Sequence, residues 1–141
     1  MMKKPGFILL LFSMFLIVSA CQKKKGCTDP KSINYDSDAA TDDGSCKYSS
    51  VVFYASKMQF GTQNVTYFDV SINGKSIGRI TNFYPTGPGN CAAAACASYS
   101  FKDGDPVNWS VVAHFSSGGD SSTSGKISPS SSGCIEFDVT R

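Results

Sequence analysis

The chain is poor in the residue types that carry acid–base chemistry. Among its 141 residues there is one histidine, His114, and one glutamate, Glu136. An isolated catalytic serine would therefore depend on His114 as its base. Trp109, Val111 and Ala113 alternate along a predicted strand, which places the side chain of the following histidine on the opposite face. We therefore expect a strand histidine rather than a general base, and this inventory argues against an enzyme.

The chain also lacks the excess of one charge that would select a polyanionic partner. It is formally +2 at pH 7, but Lys3 and Lys4 precede an apolar segment with the features of a secretory signal, and without them the remainder is formally neutral. Neutrality argues against nucleic acid as a partner. Helical periodicity is missing beyond this segment, and Gly, Ser, Thr, Asn and Asp interrupt the chain about every ten residues. This pattern predicts an all-β fold.

The apolar segment is too short to cross a membrane. It runs from Phe7 to Val18, about a dozen residues against the ~20 that a spanning helix needs. A small Ser-Ala pair and Cys21 follow, and Val18 to Cys21 resembles the lipid-attachment box of bacterial lipoproteins. The resemblance implies that residues 1–20 are a cleaved signal peptide and that Cys21 is the lipidated mature N-terminus. The alternative is a plain secreted protein in which Cys21 forms a disulfide.

The residues around this cysteine indicate an anchor and a tether. Several acyl chains, each CH₂ contributing ~0.8 kcal/mol on burial, would make membrane attachment stable. Residues 21–26 then form a basic tether, whose lysines at 23–25 are either solvated or attracted to anionic lipid. Gln22, where an Asp would favour inner-membrane retention in the lipoproteins that the chain resembles, fits outer-membrane sorting. We expect a lipid-anchored outer-membrane protein, on the periplasmic face or the cell surface.

An acidic segment follows between Cys27 and Cys46, with Ile33 and Tyr35 as its predicted small apolar core. Alternating carboxylates and a glycine that permits a tight turn suit a hard, oxygen-ligated ion such as Ca²⁺. The candidate ligands are Asp36, Asp38, Asp42 and Asp43. Their spacing does not match the EF-hand loop. The plainer alternative is a spacer whose acids only keep it soluble.

The segment has Gly-Cys-Thr-Asp-Pro at 26–30, Asn-Tyr at 34–35 and Asp-Asp-Gly-Ser-Cys at 42–46. These motifs resemble a short module of extracellular and cell-surface proteins of Bacteroidota, loosely similar to thrombospondin type 3 calcium repeats. The resemblance covers about a seventh of the chain and implies that residues 27–46 form a loop closed by a disulfide between Cys27 and Cys46. Such a bond closes a loop of ~20 residues and contributes ~3 kcal/mol by restricting the unfolded chain.

Residues 48–141 are predicted to form a separate β domain. Val51 to Tyr54 is a compact apolar run, and Thr66 to Ile72 alternates strictly between apolar and polar residues. Asn73-Gly74 follows as a strong hairpin signal. About seven short strands then predict a small antiparallel β-sandwich, similar in outline to immunoglobulin-like modules.

Two segments of this domain are predicted to lack strands. Residues 81–95 contain Pro and Gly that interrupt regular pairing. Residues 116–124 are rich in Ser and Gly and are predicted as a flexible turn, with only a short strand near Ile127 after them.

Six cysteines in an exported chain indicate an oxidising compartment and a disulfide framework. With Cys21 lipidated, five thiols remain, so at least one is free or intermolecular. Among the last three, we favour Cys91–Cys134, because this bond would tie the long loop to the final strand. A local Cys91–Cys96 bond is the second choice, and the third pairing stays open. The spacing of Cys91 and Cys96 is not the Cys-x-x-Cys of redox enzymes.

These observations predict a membrane-anchored, non-enzymatic binding or structural protein of the cell envelope. Phe83 and Tyr84 in the long loop, together with the Asn-Gly hairpin, are the candidate surface for an envelope protein or a glycan. The alternative is an exported redox or hydrolytic enzyme that uses Cys91 and Cys96 or the acidic loop.

Overall fold

The computed structural model describes residues 23–141, and the expected signal peptide and Cys21 lie outside this part. The described residues form strands, turns and bends without a helix, which confirms the predicted all-β class. Between residues 23 and 141 there is thus no helix long and apolar enough to cross a membrane. The strands are β1 (Lys25–Gly26), β2 (Thr41–Asp42), β3 (Ser50–Tyr54), β4 (Gln59–Phe60), β5 (Gln63–Ile72), β6 (Lys75–Ile80), β7 (Ala97–Ser100), β8 (Val107–Phe115), β9 (Asp120–Ile127) and β10 (Cys134–Asp138).

The larger sheet of the β domain is antiparallel and has five strands. β5 lies at its centre, with β4 and β6 along one side, β8 along the other and β9 outside β8. The predicted hairpin connects β5 to β6. Its two central residues, Asn73 and Gly74, have φ angles of 49° and 77°. Positive φ at both central residues is the requirement of a type I′ turn, which Asn-Gly meets at low steric cost.

The smaller sheet corrects the prediction of purely antiparallel pairing. Its order is β10-β3-β7, and β3 is antiparallel to β7 but parallel to β10. Parallel neighbours need a long connection, and here almost the whole domain lies between the two strands. No local pattern in either strand encodes this pairing.

The predicted flexible turn at 116–124 is wrong over its second half. The turn is confined to residues 116–119, where Gly118 and Gly119 both have φ of 87°. From Asp120 onward the chain is strand β9, which pairs with β8 without a register shift. The serine-rich composition gave no indication of this strand, because its hydrogen bonds to β8 are what keep the segment extended. The ring of Trp109 on β8 also covers the backbone of Gly125.

The two sheets share one hydrophobic core, which gives the domain a sandwich-like arrangement. At one end Phe53 of β3 lies 5.3 Å from Phe137 of β10, and Trp109 of β8 lies 4.8 Å from Phe137 (ring centroids). The most buried side chains of this core come from both sheets and from Ala55 directly after β3; they are Val51, Phe53, Ala55, Phe68, Val70, Ile80, Ala97, Val111 and Ala113. Burial of each large apolar side chain contributes about 1.5–3 kcal/mol, so this shared core holds the domain together.

The acidic segment folds differently. The predicted Cys27–Cys46 disulfide is present, with a Cα–Cα distance of 4.8 Å. The prediction that Ile33 and Tyr35 form a small apolar core is wrong, since their side chains are 43% and 46% exposed. Their side chains are too few to cover one another in so short a loop. The buried residues are instead Cys27 and Ser32, whose Sγ and Oγ lie 2.7 Å apart.

Candidate functional site

The two aromatic residues predicted to bind a partner, Phe83 and Tyr84, have different roles in the long loop between β6 and β7. Phe83 is 48% exposed, although its backbone forms an isolated bridge to Ala55. The backbone N–H of Tyr84 donates to the carbonyl of Ala55 at 2.8 Å, and its Oη donates to the carbonyl of Ala94 at 2.7 Å. Tyr84 therefore fixes the loop, and Phe83 is the residue that the loop presents to solvent.

A disulfide fixes the same loop at its other end. Cys91 is bonded to Cys134 at the start of β10, which confirms the favoured pairing. Cys96 is the free thiol of the described residues, and burial raises its pKa. A raised pKa keeps a thiol protonated and therefore unreactive. Cys91 and Cys96 thus do not form the disulfide on which a redox enzyme would depend.

The four predicted calcium ligands separate into two pairs. In the first pair, Asp36 accepts a hydrogen bond from Lys24 Nζ at 3.0 Å, and Asp38 Oδ2 lies 3.7 Å from the same nitrogen. Lys24 holds the pKa of Asp36 below its usual range, and the N–H of Asp38 adds to the effect. A cation supplied by the chain itself already occupies the position between these two carboxylates.

In the second pair, each carboxylate binds the backbone two residues ahead. Asp42 Oδ1 accepts from the N–H of Gly44 at 2.9 Å, and Asp43 Oδ1 accepts from the N–H of Ser45 at 3.0 Å. The Ser45 hydrogen bonds lower the pKa of Asp43. Over residues 23–141 no group of three or more His, Cys, Asp or Glu side chains is arranged to hold a metal ion.

The acidic loop is docked onto the β domain. Tyr48 Oη donates to Asp29 Oδ2 at 2.7 Å, and Lys31 Nζ donates to the carbonyl of Gly104 at 2.9 Å. The hydrogen bond to Asp29 raises the pKa of Tyr48 to about 12. A Cβ at Gly104 would lie 2.7 Å from Lys31 Cδ and 2.9 Å from Asp29 Oδ2, so the side chains of the loop approach this part of the backbone closely. These contacts make the loop a fixed part of the molecule.

The outer face of the larger sheet carries a polar cluster that the sequence analysis missed. His114 Nε2 lies 3.1 Å from Asp69 Oδ2, and its Nδ1 lies 2.7 Å from Asp120 Oδ1. Arg79 Nε donates to Asp69 Oδ1 at 2.8 Å, and the Arg79 guanidinium stacks 3.8 Å from the centroid of Tyr67. Arg79 is the main cause of a lowered pKa at Asp69.

The pairing of Asp69 with Arg79 depends on more than the Asn-Gly turn. An unbroken ladder from this turn would place Asp69 opposite Gly78, and the register shift between Val70 and Ser71 places it opposite Arg79 instead. The contacts of His114 could not be found from the sequence either, because they need the order of β5, β8 and β9. Its place on the face opposite Val111 fits the alternation predicted for β8.

The cluster does not form a nucleophile–base pair. Both hydrogen-bonding partners of His114 are carboxylates, so the histidine has no hydroxyl or thiol as a partner to activate. Gly74 to Gly78 has the Gly-x-Ser-x-Gly spacing of hydrolases, but it runs from the hairpin turn into β6. The nucleophile elbow of those enzymes is a strand–turn–helix, so Ser76 does not occupy one.

Comparison of the chain with protein-family models, with curated proteins and with solved structures gives no match.

Proposed function

We propose that the chain is a lipid-anchored protein of the bacterial outer membrane whose β domain binds a partner without catalysing a reaction. The observation that carries the proposal is Phe83, a large aromatic side chain left 48% exposed on a loop that is fixed at several points. Exposed aromatic residues on rigid loops are typical centres of protein recognition, because little conformational entropy is lost when they are buried.

The fixed geometry of the loop supports this proposal. Its first part is held to Ala55 by Tyr84, and its last part is held to β10 by the Cys91–Cys134 disulfide. The loop therefore does not need Phe83 as a packing anchor. Phe83 is therefore available to contact an envelope protein or a glycan, as the aromatic centres of protein interfaces do.

The residues next to the expected anchor support attachment to a membrane surface. An open concavity of about 740 Å³ is lined by Lys23, Lys24, Lys25 and Thr41, at the start of the described chain. Lys24 is paired with Asp36, so Lys23 and Lys25 are the lysines left to contact anionic lipid, where each adds about 1 kcal/mol within a Debye length. Because the acidic loop is docked, the distance from residue 23 to the β domain is set by the fold.

The partner is tested by affinity capture from a bacterial envelope extract with the detergent-solubilised full chain. We expect a captured component to be lost with Phe83→Ala and retained with Tyr35→Ala. Tyr35 is the matched control, since its exposed fraction of 46% is close to that of Phe83 and it lies in the acidic loop. Equal capture by both variants would show that Phe83 is not the contact.

The anchor is tested by metabolic labelling with a palmitate analogue. We expect label on the unaltered chain and on Cys96→Ser, which removes the free thiol of the described residues. The Cys21→Ser variant should carry none. Persistent label on Cys21→Ser would place the lipid elsewhere or remove the lipoprotein proposal.

A further inference from the structure

Strand β9 is an edge of the larger sheet, with one side unpaired within the described residues. It pairs with β8 from Asp120 to Ile127 without a bulge, and its other side has no strand partner within residues 23–141. It contains no proline, and its outward residues are exposed along the whole strand. Natural proteins usually protect such an edge with short strands, bulges, prolines, or charged side chains on or behind it. Of these, β9 has only two charged side chains, Asp120 and Lys126, one near each end.

The charges of β9 favour a second copy of the same strand over other partners. Asp120 and Lys126 point outward near its two ends, with Ser122 and Ser124 between them on the same face. In an antiparallel pair the residues directly opposite lie on the same face of the sheet. Pairing of β9 with itself about a two-fold axis at Thr123 therefore places Asp120 opposite Lys126 of the second copy, at both ends.

Other registers lose this complementarity. A shift that keeps outward residues opposite outward residues moves the axis by one position, to 122 or 124. With the axis at 122, Asp120 faces Ser124 and Lys126 has no opposite residue within the strand. With the axis at 124, Lys126 faces Ser122 and Asp120 has no opposite residue within the strand. The register centred on Thr123 is the one in which both ionic pairs form.

We propose that the β9 edge is an interface through which two copies of this chain join their larger sheets in antiparallel register about Thr123. The contact to His114 is compatible with this arrangement, because it uses Asp120 Oδ1. The Asp120 side chain is 57% exposed, so Lys126 of the second copy can approach it from solvent. Main-chain hydrogen bonds give the affinity of such an interface, and the terminal charges fix its register.

The test uses two differently tagged copies of the full chain, co-expressed and extracted in detergent, and measures co-purification of one tag with the other. The unaltered copies should co-purify. Asp120→Lys paired with itself, or Lys126→Asp paired with itself, should reduce co-purification about tenfold, since two opposite-charge pairs become two like-charge pairs. Lys102→Asp is the matched control for Lys126→Asp, because it makes the same charge change at an exposed position outside the edge.

The decisive measurement is the mixture of the two variants. Asp120→Lys co-expressed with Lys126→Asp places Lys opposite Asp at both ends again, so co-purification should return to the level of the unaltered pair. Far-UV circular dichroism of each variant checks that the β domain remains folded. Absence of co-purification by the unaltered chain would overturn the proposal. So would co-purification that does not respond to the single substitutions, or a mixture that fails to restore it.

Discussion

The acidic loop and the β domain of this molecule are stabilised by different interactions. In the β domain two sheets bury a continuous set of apolar side chains, with Phe53 and Phe68 fully inaccessible. In the loop the two largest apolar side chains, Ile33 and Tyr35, are exposed. The loop is held instead by the Cys27–Cys46 bond and by carboxylates that accept backbone N–H groups.

The difference shows what acidic residues contribute when a segment is too short for a core. A charge-dense loop would repel itself if its carboxylates were unpartnered. Here Asp36 is paired with Lys24, and Asp29 with the hydroxyl of Tyr48. The acids therefore act as turn-forming and docking groups. Their effect should depend on pH and on cations, whereas the β domain should depend on packing.

The largest expected effect is in the packing of the β domain. Phe53→Ala removes a ring that contacts Trp109 across the core and Phe137 on the neighbouring strand. We expect a loss of about 3–5 kcal/mol in the free energy of unfolding, because the lost burial is accompanied by a cavity. Urea denaturation measures it. Phe83→Ala is the control and should change stability by less than about 0.5 kcal/mol; equal losses would contradict the assignment of the core.

The second effect distinguishes the two disulfides, in a Cys96→Ser background that prevents reshuffling. Replacing Cys27 and Cys46 by Ser should destabilise the closed loop by about 3 kcal/mol. Proteolysis within 27–46 should accelerate, and the unfolding midpoint of the β domain should move little. Replacing Cys91 and Cys134, which lie 43 residues apart, should lower the domain midpoint, with a loss of about 4 kcal/mol. A domain midpoint that falls equally in both variants would show that the regions are not separate.

The same comparison explains how far the sequence could be read. The hairpin at Asn73-Gly74 and the strand β5 were predicted correctly, because turn chemistry and alternation are local. The parallel β3–β10 pair was not predicted, because it joins the two ends of the domain. The first part of strand β9 was missed, because its Ser and Gly composition is that of a loop and only its ladder with β8 makes it a strand; the short strand predicted near Ile127 is its end.

The residues of the candidate sites also differ in whether the sequence could predict their contacts. The Cys27–Cys46 bond was implied by the resemblance of the acidic segment to a known module, and Cys91–Cys134 was favoured from its place along the chain. The pairing of Lys24 with Asp36 required the fold of the loop. The contacts of His114 with Asp69 and Asp120 join three strands, so no sequence spacing indicates them.

The third effect is the pH range over which the loop stays docked. Backbone and Tyr48 hydrogen bonds lower the pKa of Asp29, so this contribution to stability is present above the usual range of an aspartate and is lost as pH falls through its folded pKa. Asp29 raises the pKa of Tyr48 from 10.0 to about 12, so that contribution is present below pH 10 and is lost as pH rises towards 12.

A spectrophotometric titration of the tyrosines measures the alkaline side. We expect the Tyr48→Phe variant to lose a phenol that ionises near pH 12, and Asp29→Asn to shift that ionisation back towards 10. Hydrogen exchange of the loop at acid pH measures the other side. A titration curve unchanged by Asp29→Asn would show that the loop is not docked through this pair.

The smallest effect concerns calcium, and it tests whether the loop can exchange its own cation for a metal. Ca²⁺ needs several oxygen ligands, and in this loop the ammonium of Lys24 already lies between Asp36 and Asp38. We therefore expect millimolar Ca²⁺ to slow proteolysis of the loop only slightly in the unaltered chain and more clearly in Lys24→Ala. Mg²⁺ should be less effective in both, because it demands a stricter octahedral geometry.

Lys25→Ala supplies the matched control for calcium, since it removes the same charge from the neighbouring residue without freeing Asp36. If Ca²⁺ slows proteolysis more strongly in Lys24→Ala alone, these carboxylates form a latent site that is closed by a lysine of the tether. If Ca²⁺ slows proteolysis equally in both variants, the effect reflects only a more negative loop. No response to Ca²⁺ in either variant would contradict the calcium hypothesis and leave turn formation and docking as the functions of the acids.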